Sequence, residues 1–349
     1  MKLLILTQKV DKNDDVLGFF HGWILEFAKN YEKVTVICLY EGKHDLPENV
    51  KVLSLGKERG VSKLKYILNF YKYIWQERAG YEQVFVHMNQ VYVLLGGLFW
   101  RLWGKKVGLW YAHGSVPFSL RIAEKITNHV FTSTESGFRI DSKKKKVVGQ
   151  GINLEIFKPG LNIIKPTIFS VVTVGRISPV KDYETLIKAI EKLVSGGINI
   201  KLRIIGGVVL SEQEKYFDSL KLMVRQKNLE NNIIFVGPVS NSEIPKYLKE
   251  SDLFVNTSHT GSLDKTVLES MACGIPILNC NEAFLEVLGG FKERLMFPKN
   301  DFVILCDKIK EMFDLGDKGR KSLGIELRNT VAGNHSIGNL IKKIKSIYE

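Results

Sequence analysis

The sequence predicts an α/β protein made of two Rossmann-like, doubly wound parallel sheets, and three observations lead there. Short apolar, β-rich runs alternate with helical patterns through both halves of the chain, the pattern of repeated βαβ units. Glycines and prolines interrupt that alternation near the middle, at Gly149-Gln-Gly151 and Phe157-Lys-Pro-Gly160. The length of 349 residues also exceeds what one core comfortably organises.

In the first series, Lys2–Thr7, Val34–Leu39, Gln83–Val86, Lys106–Tyr111 and His129–Thr132 read as buried strands. Gly22–Ala28 and Leu64–Trp75 show helical spacing between them. A linker is expected over 158–166. The second series has strands at Thr167–Val174, Lys201–Ile205, Ile233–Val236, Leu253–Asn256 and Pro276–Leu278. Helices fit at Asp182–Ser195, Ser211–Lys227, Glu243–Glu250 and Lys265–Ala272. Ser336–Glu349 forms an amphipathic helix with Ile337, Leu340, Ile341, Ile344 and Ile347 on one face. The resulting domains are 1–160, 161–330 and a closing helix at 331–349.

A hydrophobic fraction of 45% and a charged fraction of 25% are those of a globular chain. The longest apolar stretch, Val91–Trp103, is short for a membrane span and carries Arg101. The apolar start stops at Gln8 and Lys9 and suits a first strand better than a secretory signal. Cys38, Cys273, Cys280 and Cys306 lie in apolar segments without zinc-like spacing. They read as reduced core thiols of a cytoplasmic protein. The net charge of +13 points to nucleic acid, anionic lipid or phosphorylated small molecules as partners. Its excess gathers at Lys51–Arg78 and in the run Lys143–Lys146.

Two segments carry candidate chemistry. Val172–Ile187 reads as a strand ending at Gly175, a loop with Arg176 and Lys181, and a helix from Asp182. Such a loop lies at a strand's carboxyl end, where open α/β sheets bind ligands. Arg176 can fork onto phosphate oxygens and Lys181 adds a point charge; incidental surface cations are the alternative. In His259–Ile277 a loop with Gly261 and Ser262 leads into a helix opening near Lys265. A helix start offers N–H groups to an anion. Glu269, about one turn inside, suits a ribose hydroxyl pair or a plain helix face.

Together these segments resemble the donor-binding half of the family-four retaining glycosyltransferases. That family shows a Gly-Arg…Lys loop, a Phe-x-Gly turn, and Glu-x7-Glu followed by Ala-Met-Ala-x-Gly-x-Pro. Here Gly175-Arg176…Lys181, Phe235-Val236-Gly237 and Glu269-Ser-Met-Ala-Cys-Gly-Ile-Pro276 stand in the same order. The likeness covers roughly residues 168–300. One position departs from it: Gly261 occupies the place of the first glutamate, with Asp264 or the Gly261–Ser262 backbone as substitutes.

The resemblance implies a GT-B fold, with two domains facing a cleft and the last helix crossing back to the first. It implies a nucleoside-diphosphate sugar as donor, bound by the second domain. Gly175, Arg176, Lys181, Phe235, Val236, Gly261, Ser262, Asp264, Lys265, Thr266, Val267, Leu268 and Glu269 would form that site. The first domain would take a glycan or lipid-linked acceptor, and transfer would retain the anomeric configuration. His113, in Tyr111-Ala-His-Gly-Ser115, corresponds to the family's histidine near the reacting sugar; with Arg176 and Lys181 it makes up the catalytic set. Asp15, Gly18, His21, His87 and Asn89 are acceptor-side candidates. Gly18 stands where the family's second glycine would, with Leu17 in place of the first.

No cofactor and no metal requirement are expected, since Arg176, Lys181 and a helix N-terminus supply the positive charge. No Gly-x-Gly-x-x-Gly follows the first strand, which argues against a dinucleotide dehydrogenase. A catalytically silent glycan- or nucleotide-sugar-binding scaffold stays open, as does a GT-B epimerase or phosphorylase. The cations of Lys51–Arg78, mixed with Leu64, Tyr66, Ile67, Phe70, Tyr71, Tyr73 and Trp75, suit a helix on anionic lipid. They also suit a helix packed on the sheet with its lysines outward. No nucleic-acid motif accompanies the charge.

Overall fold

The structure, a computed structural model, describes residues 1–14, 16–160 and 168–349. Asp15, residues 161–166 of the expected linker and Thr167 of the expected strand lie outside the described residues. The chain divides into two compact units, Met1–Gly151 with Ser336–Glu349, and Ile152–His335.

The first unit runs β1 (Lys2–Val10), α1 (Gly18–Asn30), β2 (Lys33–Glu41), β3 (Val50–Ser54), α2 (Lys63–Gln76), β4 (Gln83–His87), α3 (Val91–Leu102), β5 (Lys106–Trp110), α4 (Phe118–Ile126), β6 (His129–Thr132) and β7 (Lys145–Val147). The strands pair in parallel in the order β3-β2-β1-β4-β5-β6-β7. Alternate residues of β1 feed two cores, as the two-residue period of a strand requires. Leu3 and Ile5 pack with Phe20, Trp23 and Phe27 of α1. Leu4 and Leu6 pack with Phe70 and Ile74 of α2, Trp100 of α3 and Leu120 of α4.

The second unit runs β8 (Phe169–Val174), α5 (Tyr183–Ser195), β9 (Ile200–Ile205), α6 (Glu214–Gln226), β10 (Ile233–Gly237), α7 (Ile244–Lys249), β11 (Leu253–Asn256), α8 (Lys265–Ala272), β12 (Ile277–Asn279), α9 (Leu285–Leu288), α10 (Lys292–Leu295), α11 (Phe302–Asp314) and α12 (Gly316–Asn334). Its parallel sheet is ordered β10-β9-β8-β11-β12. The order reverses between β8 and β11, and the loops beyond their carboxyl ends flank that switch point. The final helix, α13 (Ile337–Tyr348), belongs to the first unit.

Both expected sheets are present, and four elements of the first unit lay outside the expected series. The apolar stretch Val91–Trp103 is mostly α3, and Phe118–Ile126 is α4. Strand β3 has only one fully buried residue, Ser54. Part of the Lys143–Lys146 run is β7, an edge strand with no buried residue. Lysines on an edge discourage pairing with another chain, so the run's composition hides a strand. The units divide earlier than residue 160 because Ile152 and Phe157 are buried in the second core. Leu327 and Val331 of α12 join that core too, which carries the later division past 330.

Helix α13 is held by its apolar face. Ile337, Leu340, Ile341, Ile344 and Tyr348 are buried and Ile347 packs at the margin. Ser336 caps the helix, its Oγ accepting the Asn339 N–H at 3.4 Å. The Tyr348 hydroxyl donates to the Val84 carbonyl at 2.7 Å, beneath the sheet. Gly108 leaves room for that ring, since a Cβ there would lie 2.3 Å from the Tyr348 oxygen. Gly151 (φ +74°) lies against Leu340 and Trp23 in the same way, with a Cβ falling 2.5 Å from Leu340 Cδ2. Ile344→Ala should therefore destabilise the first unit by about 2–5 kcal/mol. Exposed Lys343→Ala should stay within about 0.5 kcal/mol of wild type. Urea unfolding followed by tryptophan fluorescence would measure both; equal midpoints would mean that α13 is not part of the core.

Candidate functional site

Three loops meet at the switch point of the second sheet. After β8 the chain turns through Gly175 and Arg176, and a single 3-10 turn at Pro179–Lys181 delivers it to α5. Asp182 takes a left-handed conformation (φ 45°) and caps α5, accepting the Thr185 N–H at 3.3 Å. After β9, Gly206 (φ +136°) passes so close that a Cβ would fall 2.0 Å from the Gly175 carbonyl oxygen. Only glycine fits there. The Ile177 N–H then donates to the Gly207 carbonyl at 2.9 Å. After β11 the Thr257 hydroxyl donates to the Lys181 carbonyl at 2.6 Å, and the His259 N–H to the Val180 carbonyl at 2.8 Å.

The centre of this meeting is an ion pair. Lys181 Nζ lies 2.7 Å from Asp264 Oδ1, and both side chains are nearly buried. The other carboxylate oxygen accepts Asn281 Nδ2 at 3.0 Å and Asn256 Nδ2 at 3.1 Å, with the Thr260 hydroxyl at 3.4 Å. Asn256 is itself fixed by Asn279, at 2.7 Å. Burial opposes ionisation of Asp264, but Lys181 and the two asparagine amides outweigh it and hold its carboxyl below the usual range.

Lys181 also lies across Gly175, where a Cβ would sit 3.1 Å from its Cε, and the Tyr183 hydroxyl donates to the Gly175 carbonyl at 2.9 Å. Arg176, by contrast, is exposed and makes no ion pair among the described residues. It is the cation of the pair that remains uncommitted.

Helix α8 starts beside this pair. The Asp264 side chain does not cap it, being turned to Lys181, while the Thr266 hydroxyl donates to the Val174 carbonyl at 3.3 Å. Ser262 and Gly261 are half-buried in the loop before it. Gly261 has φ +63°, a conformation that a glutamate would adopt only with strain. Val267 and Leu268 are fully buried core side chains. Glu269 is buried too, with Oε1 2.8 Å from Lys265 Nζ and 3.4 Å from Asn241 Nδ2. Its Oε2 accepts no hydrogen bond among the described residues. Burial pushes the Lys265 ammonium below the ordinary lysine value, with Glu269 acting in the opposite sense. Phe235 and Val236 are half-buried at the end of β10, and Phe235 stands edge-on to Phe217.

In the first unit the candidate residues separate. His87 is buried, stacked on Phe20 at 3.9 Å, with Nδ1 3.3 Å from the Thr7 hydroxyl. His21 is buried in α1 and its Nε2 lies 3.0 Å from Asp45. Burial lowers its basicity despite that carboxylate. Both read as packed histidines. Gly18 opens α1, where a Cβ would approach the Lys12 carbonyl at 3.1 Å. Asn89 Oδ1 accepts the Val91 N–H at 3.1 Å and starts α3. His113 is exposed, and its Nδ1 accepts the Ser115 N–H at 3.0 Å. That bond places the proton of the neutral ring on Nε2.

Residues 160–329 match the family model described as "Glycosyl transferases group 1". The second unit therefore resembles the group 1 glycosyltransferases. This chain is 23% identical over 255 residues to the spore coat protein SA of Bacillus subtilis, covering 64% of this chain and 63% of that protein. It is 26% identical over 145 residues to the D-inositol 3-phosphate glycosyltransferase of Mycolicibacterium smegmatis, covering 40% and 32%. It thus spans less than two thirds of these curated relatives. Among solved structures, Anabaena HepE in complex with UDP superposes with a TM-score of 0.79 at 16% identity, over 99% of both chains. A glycosyltransferase from Rickettsia africae gives 0.78 at 17% identity, over 99% and 98%. The fold is the two-domain GT-B fold that the sequence implied.

Gly206, Asn241, Asn256, Thr260, Asn279 and Asn281 were not singled out from sequence. The Gly206-Gly207 pair at a strand end was a usable signal. The asparagines were not, since nothing local tells a network member from a loop residue. The pair at the centre yields a pH-dependent expectation. The folded Asp264 carboxyl titrates below its unfolded value of roughly 3.9. Its stabilisation is therefore full above that value and fades as the pH falls through the folded one. Asp264→Asn should lower stability near pH 7 by about 3–5 kcal/mol, with the deficit shrinking below about pH 4. Urea midpoints at several pH values would show it; a gap that does not change with pH would remove Asp264 from this role.

Proposed function

We propose that this chain transfers a glycosyl group from a nucleoside-diphosphate sugar to a glycan or lipid-linked acceptor, with retention of anomeric configuration. The observation that carries the proposal is the uncommitted Arg176 beside the braced Lys181, on a loop at the sheet's switch point. In such a transfer the bond from the anomeric carbon to the diphosphate breaks as a bond to the acceptor oxygen forms. The acceptor loses its proton and the diphosphate leaves with added negative charge. Arg176 would meet that charge directly. Lys181 and the start of α8 would add a field already oriented before reaction, which is how preorganised dipoles and charges lower such barriers.

Glu269, through Oε2, would take the ribose hydroxyls, and Phe235 and Val236 would border the base. His113 offers an Nε2–H donor rather than a base, suited to a sugar hydroxyl or a polarised oxygen. Uridine is the first base to test, because UDP occupies the HepE complex. The four cysteines are buried free thiols, in keeping with work on the cytoplasmic side.

A second reading, a silent nucleotide-sugar-binding subunit, draws on Gly261. With no side chain at that position, one acidic group of the family pattern is missing beside the sugar. Release of nucleoside diphosphate that depends on added acceptor would separate the two readings. Binding without turnover favours the silent subunit.

A thermal-shift screen of UDP-, GDP-, ADP- and dTDP-sugars identifies the donor. With it, Arg176→Ala should lower turnover at least about tenfold, the loss of one charge-assisted phosphate contact of roughly 1.5–3 kcal/mol. Turnover should persist in EDTA. Near wild-type kinetics in the folded variant would move the donor site elsewhere. His113→Ala should reduce turnover more than donor affinity, measured by calorimetry with the free diphosphate. Full turnover would return His113 to a structural role.

A further inference from the structure

Helices α2, α3 and α4 cover one face of the first unit's sheet, and their outer sides are unusually apolar. Helix α3, Val-Tyr-Val-Leu-Leu-Gly-Gly-Leu-Phe-Trp-Arg-Leu, is hydrophobic all round, the composition of a helix buried on every side. Yet only Tyr92, Val93, Gly96, Gly97 and Trp100 are buried. Leu98 is 62% exposed and Leu102 83%. Leu64, Leu68 and Trp75 continue the exposed surface on α2, and Phe118 on α4.

These side chains form one surface because the helices touch. The Tyr71 hydroxyl donates to the Leu95 carbonyl at 3.2 Å, and the Tyr71 and Phe99 rings meet at 5.7 Å. Trp75 and Trp103 meet at 5.8 Å. At the other flank Arg101 donates to the Ile126 carbonyl and Gln90 to Ser119. A Cβ on Gly97 would fall 2.4 Å from Ile126, so α3 and α4 lie close together.

The charge around this surface has one sign. Helices α2, α3 and α4 carry Lys63, Lys65, Lys72, Arg101, Arg121 and Lys125, against Glu124 alone. Glu124 is already engaged by Ser142 and Lys144. On α2 the cations alternate with the apolar residues, Lys65 and Lys72 bracketing Leu68 along one helical row. Arg78 lies over the Trp75 ring at 4.3 Å. No described helix is long and apolar enough to cross a membrane.

We infer that the α2–α3–α4 face docks on an anionic lipid surface, with Leu98, Leu102, Trp75 and Phe118 entering the headgroup boundary and the lysines meeting lipid phosphates. An apolar ridge set among unopposed cations is what an interfacial anchor requires. A protein partner of ordinary surface would leave the cations without counterparts. The expectation from Lys51–Arg78 is thereby both narrowed and extended. Phe70 is core, and the largest apolar exposure lies on α3 and α4, outside that segment.

The test is co-sedimentation of the full chain with vesicles of equal parts phosphatidylglycerol and phosphatidylcholine, beside pure phosphatidylcholine, at low salt. The wild type should pellet with the anionic vesicles only. Leu98→Glu with Leu102→Glu should reduce partitioning at least tenfold, and both sites are exposed enough to leave the fold intact by circular dichroism. Lys65→Glu with Lys72→Glu should weaken binding and its salt dependence together. Equal recovery in the supernatant with both vesicles would overturn the proposal. So would a lipid-free dimer by light scattering that the leucine variant converts to monomer.

Discussion

The Lys181–Asp264 ion pair ties the loop after β8 to the loop after β11, and the site of the second unit depends on it. A parallel sheet fixes where its strands end but leaves the loops beyond to find their own partners. Here one buried carboxylate gathers a lysine, two asparagines and a threonine from three loops. The carboxylate thereby gains a countercharge and hydrogen bonds together, which is the condition under which buried charge is tolerated. The pair holds Lys181 across Gly175 while Arg176 stays outside, so one cation is structural in part and the other is available.

The close backbone approach of Gly206 to Gly175 has the same logic. At Gly206 the two strand ends converge so tightly that no side chain fits, and its φ of +136° favours glycine as well. That convergence gives the loop after β8 little freedom. A loop that is already ordered would lose less entropy on taking a ligand.

The departure at Gly261 belongs to this arrangement. The backbone there is left-handed, a state in which glutamate would be strained. The nearby acid, Asp264, is spent on Lys181 and does not extend outward. The second unit thus has the cations and the helix start of the pattern it resembles, with Gly261 where that pattern has an acid.

Much of this was legible in the sequence, for reasons that differ by residue. Strands such as His129–Thr132 and Leu253–Asn256 are apolar runs bounded by turn residues, and α8 begins and ends where its pattern says. The order Gly175-Arg176…Lys181, Phe235-Val-Gly237 and Glu269…Pro276 pointed to the candidate loops through its resemblance to a known family. Strand β7 was hidden because edge strands are selected for charge, and α3 because a helix apolar all round has no periodic contrast. Tertiary structure alone decided that Lys181 pairs with Asp264. It also decided that His21 and His87 are packing residues while His113 is exposed. Those outcomes depend on which strand ends lie side by side in the sheet, and that adjacency arises from long-range burial, which no local spacing encodes.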